Sequence, residues 1–232
     1  GVGSLSLVFF IRRQGRLKQP ILEFRVFKYG IFTLSTILSI IVFVTIIGSA
    51  TILPIYMQDM HGFTALESGL ALLPGAIIMG LMNPIAGRIF DKVGGKWLAV
   101  AGLSIVTGST FQFTVLTSET TFVYLAVMHA IRMLGVALVM MPVTTAGLNQ
   151  LPDHLIPHGT AMSNTMRQVS GSIGTALLVT IMTSAALDPG RYGVEGLIRG
   201  VNMSFMVTGI LSAIGIVLAF FMKNPKAQEQ GK

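Results

Sequence analysis

A polar stretch of ten residues, GRIFDKVGGK at positions 87–96, separates two long apolar runs of the chain. Only 11% of the 232 residues are charged, yet this stretch contains Arg88, Asp91, Lys92 and Lys96. Its glycines permit a sharper turn than residues that carry a Cβ. A carboxylate just ahead of a helix is also stabilised by the free N–H groups of its first turn. The stretch therefore predicts a tight turn between two membrane helices, either a plain surface turn anchored by its bases or a functional segment.

The composition places the whole chain among membrane proteins. Hydrophobic residues make up 52% of the sequence, and the mean hydropathy is +0.75, values typical of membrane-spanning chains. A net charge of +7 would suggest nucleic acid in a soluble protein. Here the bases cluster between apolar runs, so membrane topology explains them and no nucleic-acid partner is predicted. The absence of cysteine excludes disulfides, thiolate metal sites and a cysteine nucleophile, and neither a cofactor nor a metal is predicted.

Six apolar segments are long enough to cross a bilayer. The expected spans are residues 30–57, 64–89, 97–116, 121–147, 159–187 and 201–222. The second begins with Thr64-Ala65-Leu66-Glu67, the S/T-x-x-E pattern of a capping box. Asp188-Pro189-Gly190 predicts a break that is followed by a loop to about residue 200. The predicted fold is an all-α, six-transmembrane-helix bundle.

The regions outside these spans complete the predicted domain organisation. Residues 1–11 form an apolar run too short to span a bilayer, and we expect them to be the end of a longer helix in a larger protein. Residues 12–29 form a basic linker, residues 30–222 the six-helix domain and residues 223–232 a polar tail. If residues 12–28 lie inside, alternating spans place twelve of the sixteen Lys and Arg residues inside. That asymmetry predicts a cytoplasmic linker, a cytoplasmic 87–96 stretch and a cytoplasmic C-terminus.

The stretch at 87–96 resembles a family signature. Its match to the loop motif G-x-L-x-D-R/K-x-G-x-R/K of the major facilitator superfamily rests on Gly87, Asp91, Lys92, Gly94 and Lys96. That superfamily carries the motif between the second and third helices of each six-helix half, and the context here is the same. The resemblance implies a conformational-switch loop, in which Asp91 docks at a helix N-terminus or a base in one transport state and releases in the other. Gly95 departs from the pattern, which often has a base there.

Further stretches narrow the resemblance to a subfamily. Residues 53–58, 62–75, 132–135 with Pro142, and 166–176 are similar to the C-terminal half of fourteen-helix, EmrB/QacA-like drug:proton antiporters, including lincomycin-resistance types. The resemblance implies one half of a non-enzymatic, proton-coupled multidrug exporter that confers antibiotic resistance by alternating access. It also implies a bacterial cell membrane, a missing N-terminal six-helix half, and lipid, lipophilic drugs and protons as partners. Spans one, two, four and five would line the cavity, and spans three and six would face lipid.

Two other kinds of function are also compatible with the sequence. The same superfamily includes exporters of nutrients, siderophores and lipids. A membrane enzyme or a non-transport subunit is the remaining alternative, although neither a G-x-S-x-G nor an H-E-x-x-H motif is present.

Polar residues inside the fourth span are the first candidates for a site. His129 and Arg132 lie three residues apart and share a helix face. Arg132 should lie about 16 Å deep, where a base is costly and needs a partner. No acid lies mid-span, so the expected partner is a backbone carbonyl, water, substrate or the missing half. Arg132 either lines a cavity or locks moving helices, or it bonds carbonyls near a break such as Pro142. His129 is either a proton carrier or a satisfied hydrogen-bonding residue.

Two further groups complete the candidates. Asn164, Arg167 and Gln168 occupy positions i, i+3 and i+4, which predicts either a polar stripe facing the cavity or hydrogen bonds between helices. Tyr56 and Asp59 lie at the outer end of the first span. Asp59 either attracts cations and helps proton exit, or is a solvated loop acid.

Overall fold

Six long helices follow one another in the computed structural model, which describes residue 9 and residues 23–222. They are α1 (Gly30–Ile55), α2 (Ala65–Val93), α3 (Gly95–Gln112), α4 (Phe122–Leu148), α5 (Ile156–Ala185) and α6 (Pro189–Phe220). All six are long and apolar enough to cross a membrane, and the described residues contain no β-strand. The prediction of an all-α, six-span membrane protein is therefore confirmed. The predicted segments 1–11, 12–29 and 223–232 lie outside the described residues, apart from residues 9 and 23–29.

Short helical turns of other types adjoin the long helices. A π-helical turn, Tyr56–Met60, extends α1 just after Pro54, whose missing N–H interrupts the regular ladder. Short 3-10 helices lie at Phe24–Lys28, Phe113–Val115 and Asp153–Leu155. They leave only brief connections between the spans.

Helix α4 is at the centre of the packing. It contacts α1, α2 and α3 extensively, while α3 also packs on α6, and α1 packs on α5 and α6. Helices α2 and α5 have fewer partners, because α2 rests mainly on α4 and α5 rests on α1 and α6. The buried core runs along these contacts, with Leu38, Leu103 and Val136 in one cluster and Ile52, Leu125 and Phe205 in another.

Burial is correspondingly uneven among the six spans. In the most apolar stretch of each helix, 50% of residues are buried in α1, α3 and α4, but only 17% in α2 and 22% in α5. One side of α2 carries a continuous row of exposed apolar side chains at helical spacing: Leu66, Leu70, Leu73, Ile77, Leu81 and Ile85. Thus α2 and α5 present open faces that the described residues do not cover.

The stretch at 87–96 is mostly helix, which corrects the prediction of a tight polar turn along its length. Helix α2 continues to Val93 and α3 begins at Gly95, so the turn is Gly94 alone. Its φ of 82° and ψ of 167° lie in a region that is essentially restricted to glycine. Gly87 lies inside α2, because nothing between it and Gly94 breaks a helix.

Helix α6 starts earlier than predicted, which corrects the expected loop at 188–200. Pro189 occupies the first helical turn, where its fixed φ and missing N–H are favourable. Asp188 caps that turn, because its Oδ1 accepts a hydrogen bond from the Gly190 N–H at 2.9 Å. The break is confined to Gly193, with φ 61° and ψ −154°.

The predicted capping box at the start of α2 is confirmed. The Thr64 hydroxyl accepts a hydrogen bond from the Glu67 N–H at 3.2 Å, and a Glu67 carboxylate oxygen accepts one from the Thr64 N–H at 2.7 Å. Two N–H groups that a helix start leaves unpaired are satisfied in this way.

Candidate functional site

Arg132 is completely buried between four helices of the bundle. Its side chain has 0% exposure, and its Nη2 donates a hydrogen bond to the Thr45 carbonyl on α1 at 2.5 Å. Its Cζ lies 6.0 Å from the ring centre of Phe113, after α3, and 5.9 Å from that of Phe205 on α6. A backbone carbonyl is therefore its partner, as one alternative predicted. The acceptor belongs to the middle of α1 and not to the carbonyls near Pro142, which was another of the alternatives.

The same guanidinium leaves two donors unused in this conformation. Arg132 Nε and Nη1 are buried and have no hydrogen-bond partner. A buried donor without a partner costs about 1–3 kcal/mol. The side chain has no accessible surface in this conformation. The residue does not line a cavity here; it joins α4 to α1 with only part of its hydrogen-bonding capacity used.

His129 faces α2 instead of α1. It is 5% exposed and packs closely on Gly75, where an added Cβ would lie 2.5 Å from the imidazole Cδ2. Its Nδ1 has no hydrogen-bond partner. His129 therefore lies at a close contact between α4 and α2, one helical turn from Arg132.

The three polar residues of α5 share a face, as their spacing predicts. Arg167 Nη2 donates a hydrogen bond to Asn164 Oδ1 within the helix. Asn164 and Gln168 are exposed and Arg167 is half-buried, and none of the three bonds another helix in the described part of the chain. The stripe thus lies on the open face of α5.

Tyr56 fixes the connection between α3 and α4. It is buried, and its hydroxyl donates a hydrogen bond to the Thr117 carbonyl at 2.5 Å. Asn202 of α6 bonds both backbone groups of Leu116, accepting from the N–H at 3.2 Å and donating to the carbonyl at 2.9 Å. Glu195 accepts a hydrogen bond from the Ser118 N–H at 2.8 Å.

Sequence reasoning missed Asn202 and Glu195 as structural residues. Their only signal is a polar residue at the start of an apolar helix. By contrast, Asp59 is exposed and makes no such contact.

The charged residues of the 87–96 stretch surround the Gly94 turn. Asp91 and Lys92 are exposed, and neither forms an ion pair among the described residues, where Arg25–Glu23 is the one salt bridge. The Lys96 ammonium lies 5.9 Å from the ring centre of Trp97. In this conformation Asp91 is not docked on a helix N-terminus.

The described residues contain no group of three or more metal-ligating side chains. Six membrane spans, a one-residue turn flanked by charges, and a buried arginine that joins helices define a multi-span membrane protein with a helical-bundle fold. The sequence profile of the Major Facilitator Superfamily matches residues 4–175. The chain belongs to this superfamily, which confirms the resemblance inferred from the motif.

Relatives extend along almost the whole chain. It is 50% identical to the MFS-type transporter YcnB of Bacillus subtilis (strain 168) over 97% of this chain and 48% of that protein. It is 42% identical to the lincomycin resistance protein LmrB of the same organism, over 97% of this chain and 49% of that protein. Identity to the multidrug export protein EmrB of Haemophilus influenzae is 30%, over 68% of this chain and 31% of that protein. The chain thus spans about half the length of the curated relatives that it matches along 97% of its own length. The resistance and export proteins among these relatives agree with the predicted subfamily.

Proposed function

We propose that this chain is the C-terminal half of a proton-coupled multidrug efflux transporter that works by alternating access. The observation that carries the proposal is the 42% identity to a lincomycin resistance protein along 97% of the chain. Substrates are lipophilic drugs, and the protein acts in the bacterial cell membrane as a transporter and not as an enzyme. The six-helix domain is residues 30–222, preceded by the end of a linker helix at 1–11 and a basic linker at 12–29.

The open faces of α2 and α5 are where the N-terminal six-helix half packs. Both helices bury a small share of their apolar stretch within this chain. The polar stripe of α5 would be costly in hydrocarbon, and the exposed row on α2 offers a partner bundle an apolar face. A second helical bundle, with water or substrate between the halves, accounts for both faces. Asn164, Arg167 and Gln168 then line the route of the substrate.

Arg132 couples the helices that must move. With one acceptor on α1 and two unused donors, its hydrogen bonding is incomplete in this conformation. A second arrangement of α1, α4 and α6 that supplies acceptors would be stabilised relative to this one, and alternating access requires two such arrangements.

The carboxylate that exchanges protons lies outside the six spans of this chain. The eight acids of the described residues all lie near helix ends or in connections, so the six spans offer no mid-span carboxylate to exchange protons. The proton-coupling carboxylate therefore belongs to the N-terminal half. His129, at the α2–α4 contact, is the candidate proton carrier on this side, and Asp59 and Tyr56 lie at the outer exit.

The charge distribution supports a cytoplasmic Gly94 turn and a cytoplasmic C-terminus. Single cysteines in place of Lys92 and Ser118 test this orientation, because the chain has no native cysteine. In the full-length protein in intact cells, an impermeant maleimide should label the cysteine at 118 and not the one at 92. The reverse labelling would overturn the orientation.

Dye efflux from proteoliposomes that contain the full-length protein tests the function. An imposed proton gradient should drive efflux of lipophilic dyes and of lincomycin, and a protonophore should stop it. Efflux that survives the protonophore would contradict proton coupling. If no drug is transported but a nutrient, siderophore or lipid is, the multidrug proposal fails and the wider superfamily assignment stands.

A further inference from the structure

An open cavity of about 390 Å³ lies beside the start of α1. It is lined by Tyr29, Gly30, Ile31, Leu34, Gln150 and Phe221, and is called the Tyr29 pocket below. Three parts of the chain meet there: the entry to α1, the connection between α4 and α5, and the end of α6. None of the residues discussed as a transport site belongs to it.

The pocket lies at the level where the chain enters the bilayer. Helix α1 begins at Gly30 and α6 ends at Phe220, so one span starts and another stops around it. Phe221 is 71% exposed, and an exposed aromatic ring at the end of a span is typical of the headgroup region. An occupant of the pocket therefore meets lipid headgroups on one side and hydrocarbon on the other.

Its lining has the two characters that a phospholipid requires. Ile31, Leu34 and Phe221 form apolar walls, whereas Tyr29 and Gln150 supply a hydroxyl and an amide. The first turn of α1 contains no acid and has no side-chain cap, so nothing within it repels an anion.

A base directly adjoins a lining residue of the pocket, whereas the nearest acid along the described chain, Asp153, lies three residues after Gln150. Lys28 directly precedes Tyr29, is exposed, and forms no ion pair within residues 23–222. The other base of this segment, Arg25, is neutralised by Glu23 at 3.4 Å. An exposed base near a membrane surface attracts anionic lipid by an amount that corresponds to about a fivefold preference.

We propose that the Tyr29 pocket binds an anionic phospholipid, with its phosphate near Lys28 and Tyr29 and one acyl chain along Ile31, Leu34 and Phe221. The proposal needs only that these helices span a bilayer. It is independent of the transported substrate.

Photo-crosslinking in the full-length protein tests the proposal. Phe221 is replaced by a photoreactive phenylalanine analogue, and the protein is placed in nanodiscs of equal parts phosphatidylglycerol and phosphatidylcholine. The matched control carries the analogue at Val217, which is 59% exposed on the same helix and outside the pocket. Mass spectrometry should find the ratio of phosphatidylglycerol to phosphatidylcholine adducts about fivefold higher at 221 than at 217.

Two further variants locate the source of the preference. Lys28→Gln should bring the ratio at 221 to that at 217, whereas Arg88→Gln, which removes an exposed base outside the pocket, should leave it unchanged. Equal ratios at the two positions, or a ratio insensitive to Lys28→Gln, would overturn the proposal. Adducts to residues 10–22 or 223–232 in place of lipid would also overturn it, because the chain itself would then fill the pocket. Since no transport is measured, failure here leaves the efflux proposal untouched.

Discussion

At the scale of single residues, Arg132 shows how a costly group can be kept in the middle of a membrane bundle. Its charge is offset by one carbonyl and two aromatic rings, none of them acidic. The sequence predicted that a carbonyl was among the expected partners, because no acid lies at that depth. Which helix supplies the carbonyl was not predictable, because hydroxyl-rich apolar spans look alike until they are packed.

Arg132→Met is expected to separate the stability of the protein from its transport. The lost hydrogen bond to a charged group is worth about 1.5–3 kcal/mol, and removing a buried charge offsets it, so the melting temperature should stay level or rise. Efflux should fall about tenfold or more. Methionine has no donors that could bond the acceptors of the second arrangement, and each buried donor that gains a partner is worth about 1–3 kcal/mol. Thermal unfolding and dye efflux of the full-length protein measure the two effects. Arg199→Gln, at an exposed arginine, is the control; normal efflux in Arg132→Met would remove the coupling role.

At the scale of elements, helix limits were predictable wherever an apolar run decided them. The expected and observed ends of α1 to α5 differ by a few residues, since hydrocarbon thickness fixes how long a span must be. The start of α6 was not predictable, because Asp188-Pro189-Gly190 fits a turn as well as a capped helix that begins with proline. Local sequence does not decide between a turn and a capped helix. In the helix, Gly200 packs against the Met182 carbonyl, and an added Cβ would lie 2.0 Å from that oxygen.

The two glycines of the motif should respond differently to alanine. Gly94→Ala forces a Cβ into a conformation essentially restricted to glycine and should cost about 1–3 kcal/mol of unfolding free energy. Gly87→Ala adds a Cβ 3.1 Å from the flexible end of Met141, and alanine favours the helix by about 0.5–1 kcal/mol, so its stability should be unchanged or higher. Thermal unfolding of the full-length protein compares them. Equal losses in both variants would mean that the turn is not limited to Gly94.

Asp91→Asn tests the proposed switch at this turn. Asp91 is exposed and unpaired here, so its loss should change stability by less than about 0.5 kcal/mol. If it docks on a base or helix end in the other state, kcat of efflux should fall while KM stays close to that of the unaltered protein. Glu119→Gln, at an exposed acid of the connection between α3 and α4, should leave both constants unchanged. An unaltered kcat in Asp91→Asn would reduce the stretch to a topology anchor.

At the scale of the whole molecule, the open face of α2 should be covered by the other half, whereas that of α6 should meet lipid. Ile77 on α2 and Ile214 on α6 suit a comparison, since they are 52% and 50% exposed in this chain. Spin labels at the two positions of the full-length protein should differ, with high accessibility to oxygen at 214 and low accessibility at 77. High accessibility at both would contradict the proposed interface.

Much of the overall architecture could be predicted from the sequence, because hydropathy determines membrane spans and one short motif identifies the superfamily. The candidate site was predictable only as a set of polar residues. The bond of Tyr56 to the Thr117 carbonyl was not predictable. Nor was it predictable that His129 and Arg132 face different helices although they share one side of α4. Contacts of this kind depend on how distant helices pack, and periodicity carries no information about that.

The dependence of α2 on α4 has a consequence for biosynthesis. During synthesis α2 enters the membrane before α4 exists, and it makes few contacts with α1 or α3. It must therefore remain as a separate span in lipid, which its mean hydropathy of 1.7 allows. When α4 arrives, it brings partners for α1, α2 and α3 at once. A ribosome stalled before residue 122 should thus leave three inserted but loosely associated helices. The packing of α1, α2 and α3 around α4 should form in one step as α4 is released.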